Sequence, residues 1–396
     1  MSAGTNLRWS SYPGETGSPA VEKADGVWRV RSTEAVRQVL RERDATTQAG
    51  FHSESVQGGR LKRRPILFMD GESHRQQRSK TARYFAPKTV STRYRELMET
   101  RADELVAAAR ASGEFRLDQL SLRYSVEVAA QVIGLTNSPI ASMARRLERF
   151  FDQPPVDAES DGRRRRHALK ALVTTNLPMG AFYLFDVRPA IRARRARPQQ
   201  DVITHLIAEG YTDPEILIEC VTYGAAGMVT TREFISMCTW HLLRDDALRS
   251  SYLAAPERER YLLLHEILRL EPIVGHLFRR ASRDLEVVDA GIAYTIRSGE
   301  LIDLLVRQAN ADERTVGDEP LDIRPGRDLP RGIGDEVLSF GDGPHKCPGN
   351  ALAIQETDVL LQRLLSHELV IVHPPDLGWD ELTAGYSLRN FVLAAS

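Results

Sequence analysis

Cysteine is scarce in this chain, and what little there is sits far apart. Cys220, Cys238 and Cys347 are the three cysteines among 396 residues, too few and too scattered for a disulfide framework. Long apolar runs are missing as well. No uninterrupted stretch approaches the ~18 residues that a membrane span requires, and the opening MSAGTNLRWSSYPG lacks an apolar core of signal-peptide length. The expectation is a cytoplasmic protein without a membrane partner. Neither sign of charge is in excess: 53 Lys and Arg against 54 Asp and Glu leave a net charge of -1, so no global field advertises a polyanion. Two basic runs do occur, Arg163–Arg166 with His167, and IRARRARP at 191–198. With no interleaved aromatics and no recognisable module they read as solvated faces, and nucleic acid is not an expected partner.

What is present is apolar material in helical order. Hydrophobic residues make up 42% of the chain, enough for a sizeable core. Stretches 97–110, 256–271 and 351–365 place them three and four apart. Strand signals are short: GVWRV at 26–30, and LEVVDAGIAYTI at 285–296, which divides into two strands around Asp289-Ala290-Gly291. No repeat, linker or composition shift breaks the chain, so a mainly α fold in a single domain over 1–396 is expected.

The longest helix candidate starts at Thr212-Asp213-Pro214-Glu215, with Asp213 as the expected cap, and runs to about Leu243. That is roughly 45 Å at 1.5 Å per residue, long enough to cross the molecule. Its middle, Gly224 to Thr231, is weakened by two glycines, each costing about 1 kcal/mol relative to alanine. Thr230 can turn its hydroxyl back to the carbonyl four residues before it. Such a stretch suits either close packing of small residues or a ligand lying against the helix, and the segment alone favours packing.

FGDGPHKCPGN, Phe340 to Asn350, poses the chemical question. As a phosphate loop it lacks the Gly-Lys-Ser/Thr ending. As a zinc site it offers only His345 and Cys347. As a site with one thiolate it is better equipped. Gly341 and Gly343 allow close backbone approach to a flat ligand, and Pro348 at the expected first helical position would put Cys347 near a helix cap, whose dipole favours thiolate. A lone thiolate suits an axial ligand to heme iron.

Phe340-Gly341-x-Gly343-x-His345-x-Cys347-x-Gly349 resembles the heme-binding signature of the cytochrome P450 family, the heme-thiolate monooxygenases, and Ala351-Leu352-Ala353 and Glu356 continue the likeness. Other segments follow in the family's order. Glu266-Ile267-Leu268-Arg269 is similar to its Glu-x-x-Arg pair. His74-Arg75-Gln76-Gln77-Arg78 is similar to its His-x-x-x-Arg. Arg279, with Arg280 as the alternative by one residue, stands for its third propionate ligand. Ala226-Gly227-Met228-Val229-Thr230-Thr231 resembles the oxygen-binding motif Ala-Gly-x-Asp/Glu-Thr. The resemblance implies a helical triangular prism with a small β-rich lobe, and heme b (iron protoporphyrin IX) between the central helix and the helix after Cys347. It implies Cys347 as iron ligand, Phe340 shielding the sulfur, and His74, Arg78, Arg279 and His345 at the propionates. Gly227, Gly341 and Gly349 would line the cofactor, and Thr230 would be the catalytic alcohol. Dioxygen, a small-molecule substrate, and a separate ferredoxin with its ferredoxin reductase are the implied partners.

Two departures from the pattern stand out. Val229 replaces the acid that precedes the threonine, so the family's proton relay does not carry over unchanged. Pro320 falls where the arginine completing a Glu-Arg-Arg triad is expected, with Arg324 and Arg327 both left as candidates for the role. Segments expected to contact substrate are 51–68, 170–186, 224–229, 273–277 and 387–391, with Met228, Val229, Ile273, Val274, His276 and Leu388 as pocket residues. Their mix of apolar and polar side chains suits a mid-sized natural-product scaffold. Hydroxylation of such a scaffold is the first reading; oxidative C–C or C–N coupling and a heme-thiolate binding or sensor protein without turnover are the alternatives.

Overall fold

The computed structural model describes residues 7–11, 16–50, 63–151, 177–380 and 385–395. The basic run at 163–166 and the expected substrate segments 51–62 and 170–176 lie outside them. The helices that position the site are α1 (Thr33–Arg41), α2 (Gly71–Thr81), α3 (Arg95–Ser112), α4 (Leu117–Ile133), α5 (Asp213–Gly224), α6 (Thr230–Arg244), α7 (Glu257–Leu270) and α8 (Asn350–Leu365). Among the described residues, twelve strands form small sheets around them, from β1 (Val21–Ala24), β2 (Val27–Val30) and β3 (Thr46–Ala49) through β4 (Glu114–Arg116) to β5 (His276–Ala281), β6 (Leu285–Asp289), β7 (Ile292–Ile296) and β8 (Leu301–Leu305). The last are β9 (Leu369–His373), β10 (Asp376–Asp380), β11 (Gly385–Arg389) and β12 (Val392–Ala395). The mainly α expectation is met, and β2, β6, β7, α3, α7 and α8 fall where the periodicity put them.

The helices pack because their apolar faces leave them no alternative. In α3 the buried residues Met98, Ala102, Leu105, Val106 and Ala109 form one stripe, the pattern of a helix with one wet side. In α4 the buried positions run almost all the way round, from Leu117 to Ile133, as a helix in the middle of a core requires. Leu352, Val359, Leu360 and Leu364 of α8 join the same cluster. A second core lies under the five-stranded sheet, whose order is β1-β2-β8-β5-β3. Val36, Val39 and Leu40 of α1 pack there against Ile302 and Leu304.

The central helix crosses the molecule from Asp213 to Arg244, and it is not regular. Between α5 and α6, Ala225–Val229 forms a π-type turn, at the segment where the glycines weaken the ladder. Its start also differs from expectation. Glu215 accepts hydrogen bonds from the Thr212 amide at 2.8 Å and the Thr212 hydroxyl at 2.9 Å, so Thr212 and Glu215 share the capping. Asp213 instead pairs with Arg195 at 2.5 Å. No helix among the described residues is long and apolar enough to cross a membrane.

Candidate active site

The cysteine loop is held from both sides. Asp342 accepts hydrogen bonds from Arg37 at 2.9 Å and Arg41 at 2.8 Å, both on α1, and from the Gly343 amide at 2.7 Å. Lys346 pairs with Glu336 at 2.7 Å. Gly343 has φ +65°, and a side chain there would overlap the Leu40 carbonyl at the end of α1, so glycine is required for this approach. The Cys347 amide donates to the Phe340 carbonyl at 2.8 Å, closing the loop under the sulfur. Phe340 packs with the core cluster between α7 and α8, edge-on to His265 at 6.4 Å between centroids.

One expectation is corrected. Helix α8 begins at Asn350 with Gly349 as its cap residue, and Pro348 lies in the turn before it. Cys347 is therefore three residues short of the helix, outside the cap. Burial pushes its thiol up, and the Gly349 amide, Arg78 and Lys346 oppose that without overcoming it. The other two thiols, Cys220 and Cys238, are fully buried in the cores, where burial pushes both up.

Beside the sulfur the fold gathers basic side chains from α2, from β5 and from the cysteine loop itself. Arg78, on α2, donates to the Lys346 carbonyl next to Cys347. His74, one turn earlier on the same helix, stacks on His345 with ring centroids 4.0 Å apart and 13° between planes. His345 in turn faces Asp70 at 3.2 Å. β5 contributes Arg279, buried, whereas Arg280 points to the opposite face and donates to the Gly299 carbonyl at 2.9 Å. Strand alternation thus puts Arg279, and not Arg280, on the buried face beside Asp70.

These basic groups are desolvated with little counter-charge beside them. Burial lowers Arg78, with the sulfur of Cys347 opposing. Burial likewise lowers Arg279 to about 10, with Asp70 opposing. His74 falls to about 3 through burial and the neighbouring His345 and Arg78. Desolvated guanidiniums and imidazoles beside a thiol favour a ligand that brings anions to them. Heme, with two carboxylates on one edge and an iron for the sulfur, meets that requirement, and Gly341 (φ +69°) leaves its face of the loop free of a side chain. The donor set fits the group.

The π-type turn at Ala225–Val229 leads into the expected threonine. Thr230 donates to the Ala226 carbonyl at 2.6 Å, as its position suggests. Gly227 is half-buried in the turn, with Ala129 of α4 3.8 Å from where a side chain would begin. Thr231, the next residue, hydrogen-bonds Glu356 of α8, whose carboxyl burial holds well above the usual range.

The fold cluster resolves the triad. Glu266 is bidentate to Arg269 at 2.7 and 2.8 Å, and Arg327 reaches the same carboxylate at 2.8 Å. Arg324 offers Glu266 only its amide, at 2.9 Å, while its guanidinium turns to Glu319 and Asp322. Pro320 occupies the expected position, yet its carbonyl accepts from Arg269 at 2.8 Å.

The expected pocket residues do not all converge. Met228 is buried in the main core, with its carbonyl bound by Ser125 at 2.7 Å. Val229 and Val274 are half-buried. Ile273 packs near Leu388, which is buried with Met237 and Tyr386. The Leu388 amide is held by Glu233 of α6 at 2.7 Å. His276 lies on the opposite face of β5 from Arg279, bonded to Asp303 at 2.8 Å. Sequence reasoning did not single out Asp70, Ser125 or Asp342. Only Asp342 left a signal, as an acid inside the signature loop.

Comparison with known proteins follows this geometry. The family model described as Cytochrome P450 matches residues 262–381, from within α7 through the cysteine loop and α8 to the end of β10. Cytochrome P450(BM-1) of Priestia megaterium is 24% identical over 349 residues, covering 85% of this chain and 80% of its own. The crystal structure of the versatile cytochrome P450 enzyme CYP109B1 from Bacillus subtilis superposes with a TM-score of 0.75 at 22% identity, over 95% of this chain and 96% of that one. HmtN, a post-tailoring hydroxylase involved in himastatin biosynthesis, superposes with a TM-score of 0.73 at 23% identity, over 97% and 95%. The cysteine loop, the buried basic groups and these relatives agree, and together they support a bacterial cytochrome P450, a monooxygenase family that uses heme iron.

Proposed function

We propose that this enzyme hydroxylates a mid-sized, partly polar natural-product scaffold in the cytoplasm, with heme b held by Cys347 and electrons from a ferredoxin and its reductase. The observation that carries the reading is the convergence of His74 and Arg78 on α2, Arg279 on β5, and His345 and Cys347 in the cysteine loop, from three separate segments of the chain. Bound heme iron supplies dioxygen activation. His74, Arg78 and Arg279 hold its carboxylates by charge-assisted hydrogen bonds, and Phe340 and the Gly349 amide limit water access to the sulfur.

On the opposite side, the Thr230 hydroxyl holds a proton at Oγ1 beside the π-type turn. Val229 has no proton to give. A buried carboxyl bonded to Thr231 is that of Glu356, which burial pushes toward its protonated form, and it serves as the proton store. HmtN's role as a post-tailoring hydroxylase supports the substrate class. The absent acid at position 229 favours a second reading, oxidative coupling, in which the substrate supplies its own proton donors.

Turnover with NADPH, a ferredoxin and its reductase, on a panel of polycyclic and peptide natural products scored by product mass, tests this. A gain of one oxygen supports hydroxylation. Loss of hydrogens with a dimer mass supports coupling, and ligand-induced spectral shifts without product on any panel member would contradict both.

A further inference from the structure

The π-type turn at Ala225–Val229 is wider than the α-helix on either side of it. Such turns persist where a neighbouring group braces the displaced backbone. Two hydroxyls do so here. Thr230 Oγ1 donates to the Ala226 carbonyl from within the helix at 2.6 Å. Ser125 Oγ, from α4, donates to the Met228 carbonyl at 2.7 Å. Its second acceptor, Leu122 in its own helix, is farther at 3.1 Å, so the bond between helices is the shorter. Ser125 has no exposed surface, so its hydroxyl is shielded from bulk solvent.

The same face of α4 receives the turn in another way. Ala129, one helical turn after Ser125, lies 3.8 Å from where a side chain at Gly227 would begin. Residues four apart share a face, so a small side chain at 129 lets the turn approach and a hydroxyl at 125 fastens it. Val229 contributes no polar group to the turn. If the turn relaxed to four-residue bonding, each residue beyond it would shift by one position, about 100° around the axis, and Thr230 would leave the side it now occupies.

We propose that Ser125 is a positioning residue for oxygen-side chemistry: its bond to the Met228 carbonyl keeps the wide turn open and thereby fixes where the Thr230 hydroxyl points. This rests on the role given to Thr230 above. A serine in an apolar helix usually bonds only to its own preceding turn, and the shorter bond across to the π-type turn is what sets Ser125 apart.

Heme-loaded Ser125→Ala, Ser125→Cys and Thr230→Ala are compared with the parent by two readouts that need no substrate. In Ser125→Ala, amide hydrogen exchange over 225–233 is expected to speed up about tenfold, the loss of one buried hydrogen bond. The infrared stretch of carbon monoxide bound to the reduced protein is expected to shift and broaden. Ser125→Cys, isosteric with a weaker donor, is expected between parent and alanine, and carries the comparison alone if the alanine variant fails to retain heme. Exchange and stretch unchanged in the Ser125 variants would overturn the proposal, as would a cysteine variant as perturbed as alanine, which would mean packing alone. If Thr230→Ala moves the stretch while the Ser125 variants do not, only the role of Ser125 falls. If Thr230→Ala leaves it unmoved as well, the role of Thr230 falls with it.

Discussion

Arg327→Ala removes a side chain that spends every donor inside the fold. Its Nε donates to Glu266 at 2.8 Å. Nη1 reaches the Val316 carbonyl at 2.9 Å, and Nη2 the Glu319 and Asp322 carbonyls at 3.0 and 2.8 Å. The side chains of Arg327 and Glu266 are only 5% and 4% exposed. Truncation leaves Glu266 with one guanidinium in place of two, and leaves several carbonyls without donors. Breaking a buried pair in this way costs about 3–5 kcal/mol, which, at about 2.1 cal/mol/K of unfolding entropy per residue over 396 residues, lowers Tm by roughly 4–6 °C. Arg324 is the control. Its guanidinium is 48% exposed against Glu319 and Asp322, an arrangement worth about 0–1 kcal/mol, so Arg324→Ala should melt within ~2 °C of the parent. Arg327→Lys keeps the charge and loses the planar fork, and should recover less than half of the loss. Thermal unfolding of the heme-loaded protein, followed by near-ultraviolet circular dichroism and heme absorbance, measures all three. An Arg327→Ala variant melting within 2 °C of the parent, or an Arg324→Ala loss of equal size, would refute Arg327 as the third member.

Three further outcomes are expected. Thr230→Ala should keep the thiolate spectrum and release more peroxide per NADPH consumed once a substrate is in hand; unchanged coupling would remove Thr230 from the proton route. Arg279→Ala should lose heme faster to an acceptor protein than Arg280→Ala, because only Arg279 faces the cysteine loop; equal loss rates would undo that assignment. Glu219, buried with one oxygen on the Ile66 amide at 2.9 Å and the other without a partner among the described residues, is pushed up to about 8 by burial. The folded state therefore favours its protonated form. The unfolded chain ionises first as pH rises, so this stability is complete below the ordinary carboxylate pKa and is lost progressively up to about pH 8. Glu219→Gln should flatten the fall of the urea midpoint between pH 5 and 8 relative to the parent, and an identical slope in both proteins would refute it.

The features readable from the chain are those whose cause is local. The cysteine loop needs glycines beside a thiol at fixed spacing, and the central helix carries its weakness in its own glycines. The features that escaped reading have partners far away. Arg327 was left open because the segment from Glu319 to Arg327 is shaped by carbonyls gathered around two guanidiniums, which no spacing rule encodes. Pro348 misled because its fixed φ suits a first helical turn and an ordinary turn equally well, and here it sits in the latter. Asp213 looked like a cap, yet Arg195 claims it and Glu215 returns to Thr212 instead. Ser125 was invisible: one serine among apolar neighbours becomes informative only when the Met228 carbonyl is found opposite it.

The carbon monoxide difference spectrum of the reduced, heme-loaded protein bears most directly on the role of Cys347. The red-shifted band characteristic of thiolate ligation is expected in the parent and should be abolished in Cys347→Ser with the fold retained. A parent spectrum lacking that band, or a Cys347→Ser variant that keeps it, would contradict Cys347 as the iron ligand.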